Sequence, residues 1–445
     1  MHALAALERA IRQAPPPGLR ISGKVVEAGA GAFAVAGISR FVRLGDRLCL
    51  SETGDTALAE IIRIDGERVV AKPFDAQLSI GLGARAHVIG ATTLSPDASW
   101  RGRVIDALGR AIDGGASLTQ GARPMGTDGA PPSPMRRKRV GQRVRSGVRA
   151  IDLFTPLCLG QRIGIFAGSG VGKSSLLAMI ARAADFDTIV IALVGERGRE
   201  VREFVEDTLG PAMGSAILVV ATSDESPMMR RQAPKTAMTI AEYFRDLGQN
   251  VLLIVDSVTR YAHAIREVAL AAGEPPVARG YTPSVFADLP RLLERAGPGE
   301  DGSGSITGIF SVLVDGDDHN DPVADAIRGT LDGHVVLDRA IADQGRYPAI
   351  DIVASISRLA RSAWTEEQRL LAGRIRGLVA RFEDTRDLRM LGGYKPGSDA
   401  ELDSAVALVP AIYQALAQDL DAPASEDAFR ELSDTLREAS AGAAG

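Results

Sequence analysis

The sequence contains little cysteine and few aromatic residues. Only two cysteines, Cys49 and Cys158, occur among 445 residues, and their separation fits neither a metal-ligand spacing nor a disulfide framework. This scarcity is typical of a protein from a reducing compartment, so we expect it in the cytoplasm. Aromatic residues account for 4% of the chain, which argues against a stacking platform for single-stranded nucleic acid.

The sequence also lacks long apolar runs and a large excess of either charge. No run approaches the roughly 18 residues that span a bilayer, and Glu8 and Arg9 interrupt the stretch that a signal peptide keeps apolar. The 51 basic and 56 acidic residues leave a net charge of -5, so we expect no nucleic-acid partner. With 45% hydrophobic and 24% charged residues, the chain is predicted to be a folded, multidomain protein that is not integral to a membrane.

The apolar pattern divides the chain into four segments. Leu4, Leu7 and Ile11 follow a helical spacing that prolines then stop, which predicts an amphipathic arm. Short alternating runs punctuated by glycine come next and are typical of a small antiparallel barrel. β-Branched runs then alternate with helical stretches, as in the parallel sheet of an α/β domain, and a capping box of Thr365 and Gln368 opens a helical region. The predicted segments are the arm (1–18), the β-barrel domain (19–94), the α/β domain (95–364) and a helical C-terminal domain (365–445).

A basic stretch from Arg136 to Arg149 lies in a connecting segment rich in glycine, proline and serine. These arginines could contact acidic lipid or nucleic acid. The favoured interpretation is a solvated linker face, because short charge runs are usually exposed to water.

The strongest chemical signal is a glycine-rich P-loop between a predicted strand and a predicted helix. Its backbone N–H groups would surround phosphate oxygens, Lys173 would neutralise phosphate charge, and Ser174 would offer its hydroxyl to Mg²⁺. Ala167 replaces the usual first glycine; it begins the turn, so we expect no loss of binding. The alternative is a structural glycine turn with a solvated lysine. The predicted nucleotide-binding residues are Ala167, Gly168, Ser169, Gly170, Val171, Gly172, Lys173, Ser174 and Ser175.

Two acidic residues follow other predicted strands of the α/β domain. Asp256 ends the run Val251–Val255, at the sheet edge where ligands bind, and is predicted to hold the magnesium shell. Glu196 follows Thr188–Val194 and is the predicted general base that orients the attacking water. In isolation, Asp256 could instead cap a helix and Glu196 could be a surface residue, but the P-loop favours the catalytic interpretation.

Together these motifs resemble the hexameric rotary-type ATPases, a family that includes the ATP synthase catalytic subunit and the export ATPases of flagella and type III secretion. The resemblance rests on the P-loop, Val194–Arg197, Val255–Asp256 and the segment from Tyr347 to Arg358. Val314–Asp318 and Gly392–Asp399 resemble the export branch, and its flagellar members fit best.

The resemblance implies a RecA-like core with a small β-barrel before it and a helical domain after it. It implies further site residues: Arg358 resembles the arginine finger that enters the neighbouring subunit's site, Tyr347 resembles the adenine-stacking residue, and Arg197 and Arg260 match arginines near the phosphates. Arg358 could instead close a strand, Tyr347 could simply pack, and Arg197 and Arg260 could form interface salt bridges.

The implied function is that of an ATP-hydrolysing homohexamer with ATP and Mg²⁺ as cofactors. It would assist protein export through a flagellar or type III secretion apparatus, peripheral to the inner membrane. The implied partners are a stalk-like dimeric regulator at the N-terminal arm, membrane proteins of the export gate, export substrates and chaperones. Two alternatives stay open: a catalytic subunit of a rotary ATP synthase, and a ring ATPase that translocates nucleic acid.

Overall fold

The computed structural model describes residues 20–29, 31–52, 55–77, 80–183, 185–314 and 321–443, so the predicted arm over 1–18 lies outside them. The described residues form two compact units. One comprises the residues up to Thr92 with Ala271–Gly273, and the other comprises Thr93–Leu270 with the residues from Glu274 onward. The C-terminal helices therefore belong to the same unit as the α/β core, and the domain boundary between 364 and 365 stays a prediction.

The first unit is a closed β-barrel. Alternate residues of its strands, including Val25, Val35 and Leu48, point inward and form a buried apolar core, as the two-residue period of a strand requires. Within the described residues the strand order around the barrel is β1-β2-β5-β4-β3-β6. The strands are β1 (Ser22–Ala28), β2 (Phe33–Ala36), β3 (Arg47–Glu52), β4 (Asp55–Ile64), β5 (Arg68–Pro73) and β6 (Arg85–Gly90).

The second unit is built on a mainly parallel sheet in the order β19-β18-β12-β17-β15-β13-β14-β8, with β16 paired to β17. β19 runs antiparallel to β18, and β16 runs antiparallel to β17. The central strands are buried along nearly their whole length, which is why their sequences are continuous apolar runs. The strands are β7 (Thr93–Leu94), β8 (Val104–Asp106), β9 (Met125–Gly126), β10 (Arg143–Val144), β11 (Leu157–Cys158), β12 (Arg162–Ala167), β13 (Thr188–Val194), β14 (Ala216–Ala221), β15 (Asn250–Asp256), β16 (Gly297–Pro298), β17 (Ser305–Leu313), β18 (Gly333–Leu337) and β19 (Ile350–Ser357).

Helices pack on this sheet and form the C-terminal region. The predicted capping box is confirmed: the Thr365 hydroxyl accepts from the Gln368 backbone N–H, and the Gln368 side chain accepts from the Thr365 N–H. Among the described residues, no helix is long and apolar enough to cross a membrane. The helices are α1 (Arg149–Phe154), α2 (Lys173–Ala183), α3 (Gly198–Glu203), α4 (Pro227–Asp246), α5 (Val258–Ala271), α6 (Pro283–Leu293), α7 (Pro322–Thr330), α8 (Arg339–Asp343), α9 (Ala360–Ala363), α10 (Glu366–Asp384), α11 (Arg386–Met390), α12 (Ala400–Leu416) and α13 (Ala428–Ala443).

Most basic side chains of the stretch from Arg136 to Arg149 form ion pairs or hydrogen bonds with other residues of the second unit. Arg136 pairs with Glu300 at 2.6 Å and Arg149 with Glu431 at 3.5 Å. The Arg143 guanidinium donates to the Asp152 carbonyl at 3.0 Å. These contacts support the interpretation as a linker, because charges that are already paired contribute little to binding an acidic surface.

Parallel pairing brings three strand ends to one edge of the sheet. β12 ends in the P-loop, β13 ends before Glu196, and β15 ends at Asp256. β17 lies between β12 and β15, and β13 is the next strand beyond β15. Residues that lie 23 to 83 positions apart in the sequence therefore converge at the carboxyl ends of the strands, the usual ligand edge of such a sheet.

Candidate functional site

The P-loop turns tightly between β12 and α2. Gly170 and Gly172 have φ angles of 78° and 89°, in the left-handed region that glycine adopts without strain. Gly168 and Val171 are buried, whereas Ser169, Gly170, Ser174 and Ser175 are exposed. Lys173 begins α2, so the loop offers an exposed helix N-terminus whose free N–H groups favour an anion.

Lys173 lies between the two predicted acidic residues. Its ammonium nitrogen forms a short hydrogen bond with Asp256 Oδ1 and lies 3.8 Å from Glu196 Oε1. The Lys173 and Asp256 side chains are 11% and 4% exposed, so water screens their interaction only weakly. The structure thus brings together Lys173, Glu196 and Asp256, and the catalytic roles assigned to them stay predictions.

Burial raises the pKa of the Glu196 carboxyl above its usual range, and the negative charge of Asp256 adds to this rise. The ammonium of Lys173 acts in the opposite direction and lowers the pKa of Glu196. A partly buried carboxylate with a raised pKa is a better proton acceptor than a solvated one, as a general base requires.

A cavity of about 180 Å³ opens beside these residues. Ser174, Glu196, Glu200 and Asp256, whose side chains all carry oxygen atoms, are among the residues that line it. Oxygen donors are the ligands that Mg²⁺ prefers, and this ion usually takes only one or two carboxylates together with waters and phosphate oxygens. No group of three or more His, Cys, Asp or Glu side chains is arranged to hold a metal within the described ranges. The residues present therefore fit a magnesium ion that the nucleotide helps to hold.

Ser311 is a neighbour of the site that the sequence analysis missed. It lies in β17, is fully buried, and donates its hydroxyl hydrogen to Asp256 Oδ1 at 2.5 Å. This bond fixes one oxygen of Asp256 and adds to the bond from Lys173. A serine inside a buried strand has no local sequence signature, so only the pairing of β17 beside β15 could reveal it.

Tyr347 lies against the P-loop although it follows Lys173 by 174 residues. A Cβ atom added to Gly172 would lie 3.4 Å from the Tyr347 ring. Tyr347 is 41% exposed, and its carbonyl accepts a hydrogen bond from the Gln418 N–H at 2.8 Å. An aromatic face is thus available next to the loop, as a base-stacking residue requires.

The two other predicted phosphate-side arginines differ in their surroundings. The stem of Arg260 covers Gly195, where an added Cβ would lie 3.1 Å from Arg260 Cδ, and the positive charge of Arg260 lowers the pKa of Glu196. Arg197 is 81% exposed and pairs with Glu200 at 3.1 Å. Within one chain, Arg260 therefore lies beside the site, whereas the Arg197 side chain lies on the surface of the protein.

Arg358 lies at the opposite end of the sheet from the P-loop. Its N–H donates to the Asp332 carbonyl at 2.9 Å, and the Asp332 N–H donates to the carbonyl of Arg162, the first residue of β12. The P-loop follows the last residue of that strand, roughly 17 Å away at 3.3 Å per residue. The structure therefore does not bring exposed Arg358 to the P-loop of its own chain.

A second carboxyl with an altered pKa lies in the loop after β14. The Ser223 N–H in this loop donates to the Glu196 carbonyl at 3.0 Å. Burial, together with the charges of Asp106 and Asp224, raises the pKa of Glu225 to about 7. Within the described residues, no hydrogen-bond donor reaches the buried Oε2 of Glu225.

We expect Glu225→Gln to stabilise the protein at neutral and alkaline pH. The pKa of Glu225 in the folded protein exceeds the ordinary value of 4.5. Between pH 4.5 and 7, the Glu225 carboxyl is therefore mostly protonated in the folded state and mostly ionised in the unfolded state. The native protein thus loses stability as the pH rises through this window, and the variant does not. The gain should be near zero at pH 4.5 and, because partial exposure to water screens these charges, on the order of 1 kcal/mol above pH 8. The measurement is the thermal unfolding midpoint as a function of pH.

The matched control for this experiment is Glu67→Gln, which changes an exposed glutamate of the barrel. Its unfolding midpoint should differ from that of the native protein by a similar small amount at every pH. An equal gain for Glu225→Gln at pH 4.5 and pH 8 would contradict the assigned cause.

Comparison with known proteins gives consistent matches along the chain. Residues 147–357 match the nucleotide-binding domain of the ATP synthase alpha/beta family, and residues 364–434 match the C-terminal domain of the type III secretion ATPase EscN. The flagellum-specific ATP synthase of Rhizobium meliloti (strain 1021) is 58% identical over 442 residues, which cover 99% of this chain and 94% of the relative. The type 3 secretion system ATPase of Xanthomonas euvesicatoria is 44% identical and covers 90% of each chain.

Solved structures agree with these matches. The assembled ATPase EscN of the enteropathogenic E. coli type III secretion system is 40% identical to this chain. The match has a TM-score of 0.86 and covers 93% of this chain and all of that one. A second structure, EscN in complex with its central stalk EscO, gives a TM-score of 0.85 at 39% identity, with the same coverage.

Proposed function

The chain belongs to the ATP synthase alpha/beta family, in its branch of flagellar and type III secretion ATPases, and we propose that Lys173, Glu196 and Asp256 form its ATP-hydrolysing centre. The observation that carries this proposal is the position of Lys173 beside both Glu196 and Asp256, the two acidic side chains that line the cavity next to the P-loop. A cation flanked by carboxylates at the carboxyl edge of a parallel sheet suits a phosphoryl group that water attacks.

Each residue then has a distinct task. The P-loop N–H groups and Lys173 bind the phosphates, and Glu196 accepts a proton from the attacking water. Ser174 and Asp256 would hold Mg²⁺, which offsets phosphate charge when it is bound, and Ser311 keeps Asp256 in place. Tyr347 would stack on the adenine without reading its identity closely, since every base presents a π-face.

We propose a homohexamer in which each site is completed by the neighbouring subunit. The support is the position of Arg358, which is exposed and far from the P-loop of its own chain. A guanidinium in such a position does not reach the nucleotide of its own chain, so as an arginine finger it would act on the nucleotide of another subunit. The relative EscN, which is solved in assembled form and is similar over 93% of this chain, supports the proposed assembly.

We further propose that the chain acts at a protein-export apparatus together with a stalk-like partner. One relative is solved with its central stalk, and the flagellar relatives match nearly the whole chain. Contacts with export-gate membrane proteins, substrates and chaperones, and a position at the inner membrane, are parts of the same proposal. The arm over 1–18, which we predict to bind the stalk-like regulator, lies outside the described residues.

The synthase-subunit alternative finds less support. The C-terminal region at 364–434 matches the C-terminal domain of the secretion ATPase EscN. The alternative of a ring that moves along nucleic acid predicts hydrolysis that RNA or DNA stimulates, which phosphate release measured with and without added RNA tests.

Purified protein should release phosphate from ATP in the presence of Mg²⁺ and lose this activity when EDTA removes the metal. The reason is that Lys173 supplies a single positive charge against the several negative charges of the triphosphate, and Mg²⁺ would supply two more. Hydrolysis that persists in EDTA would contradict the assignment of Ser174 and Asp256 as metal-binding residues. Strong stimulation by RNA would instead support the nucleic-acid alternative.

A further inference from the structure

Three side chains near Tyr347 form a connected cluster that the proposed chemistry does not use. Arg346 directly precedes Tyr347, Glu383 lies in α10, and Tyr413 lies in α12. The Arg346 guanidinium lies 3.8 Å from the centre of the Tyr413 ring, and an Arg346 nitrogen lies 3.8 Å from Glu383 Oε1. The Tyr413 hydroxyl donates a short hydrogen bond to the same Glu383 oxygen. Each member therefore contacts the two others.

The residues just after α12 also hold Tyr347, the residue that follows Arg346. The Tyr347 carbonyl accepts the Gln418 N–H at 2.8 Å, and the Ala417 N–H donates to the Tyr413 carbonyl at 3.1 Å. The segment 346–347 is thus held in two ways. The Arg346 side chain is held by Glu383 and Tyr413, and the Tyr347 backbone is held by Gln418.

The exposure of Tyr347 explains why such anchors matter. A buried aromatic ring is oriented by its packing, but Tyr347 is 41% exposed, although its ring lies close to Gly172 of the P-loop. A cavity of about 300 Å³, lined by Arg346, Tyr347, Glu383 and Tyr413 among others, lies next to the cluster. Loose packing there leaves room for the 346–347 segment to shift if the cluster is broken.

We infer that Arg346, Glu383 and Tyr413 are positioning residues that orient Tyr347 for the adenine base and tie its position to the C-terminal helices. The inference rests on the proposed function, because it assumes that Tyr347 stacks on the base. The base contact would then depend on where α10 and α12 lie, although neither helix carries a residue that we assign to the phosphates.

The test is a double-mutant cycle on nucleotide affinity, measured with a fluorescent ATP analogue. Arg346→Ala should weaken binding roughly 3- to 10-fold, because it leaves the ring present but free to turn, whereas Tyr347→Ala should weaken it by roughly 5- to 100-fold. In the Tyr347→Ala background, Arg346→Ala should have no further effect, since residues that act through one another are not additive. Competition by inorganic tripolyphosphate, which has no base, should be unchanged in all three variants.

Arg386→Ala is the matched control, because Arg386 lines the same cavity but is exposed; its affinity for the analogue should match that of the native protein. Tyr413→Phe retains the ring beneath Arg346 and removes only the hydroxyl, so it provides a mild variant if Arg346→Ala fails to fold. It should weaken binding about 2-fold, again only when Tyr347 is present.

The outcomes separate the two levels of the proposal. If Tyr347→Ala binds the analogue normally, the stacking role is wrong. If Tyr347→Ala weakens binding but neither Arg346→Ala nor Tyr413→Phe does, the stacking role stands and the positioning inference is overturned. Additive losses in the double variant, or an equal loss of tripolyphosphate affinity, would show a general structural role and would also overturn the inference.

Discussion

Glu196→Gln should bind ATP at least as tightly as the native protein and hydrolyse it roughly 10² to 10⁴ times more slowly. The amide has the size of the carboxylate but cannot accept the proton of the attacking water. Because Glu196 shares a half-buried site with Asp256, removing one negative charge also eases the approach of the phosphates. Equilibrium binding of a fluorescent ATP analogue and single-turnover phosphate release measure the two effects separately.

Two other substitutions test whether the loss of turnover is specific to Glu196. Lys173→Ala should lose both binding and turnover, since it removes the cation that would contact the phosphates and leaves Glu196 and Asp256 without that counter-charge. Glu200→Gln makes the same chemical change at the same cavity, but its side chain is 42% exposed and pairs with Arg197, so its turnover should change less than about 3-fold. Near-normal turnover by Glu196→Gln would remove Glu196 from the mechanism.

Arg358→Ala should retain ATP binding while its turnover falls by roughly 10³ to 10⁵. The guanidinium would act on charge that develops as the phosphoryl group transfers, so its loss raises the barrier without weakening the ground state. Because Arg358 lies at the far end of β12 from its own P-loop, specific activity of the native protein should rise steeply with protein concentration as subunits assemble. Arg361→Ala, which changes another exposed arginine only three residues away, should keep most of its activity.

Mixing two inactive variants tests the shared site directly. Arg358→Ala subunits retain the P-loop and Glu196, and Lys173→Ala subunits retain the finger, so a mixed ring contains some complete sites. Random assembly of equal amounts should restore about a quarter of the sites of a native ring. Activity that is linear in protein concentration, with no recovery despite demonstrated co-assembly, would show that Arg358 does not act between subunits.

The sequence alone determined those features that depend on residues close together along the chain. The P-loop is one continuous segment, and its glycines, its lysine and the strand and helix that flank it are readable because each depends on neighbours along the chain. The buried strands could be predicted for the same reason, since a strand covered on both faces is apolar throughout. Asp256 and Glu196 could be nominated because each follows such a strand, and the capping box at Thr365 could be located from four residues.

Only the tertiary structure decided which distant side chains meet. Lys173 contacts Asp256 across 83 residues, and Ser311 reaches Asp256 from a strand whose own sequence gives no sign of the contact. Strand order and direction also decided that Tyr347 lies beside the P-loop while Arg358, only 11 residues later, lies at the opposite end of the sheet. The physical reason is that local sequence sets periodicity and burial. The neighbours and register of a strand are instead selected by the packing of the whole core, because many pairings satisfy the same apolar pattern.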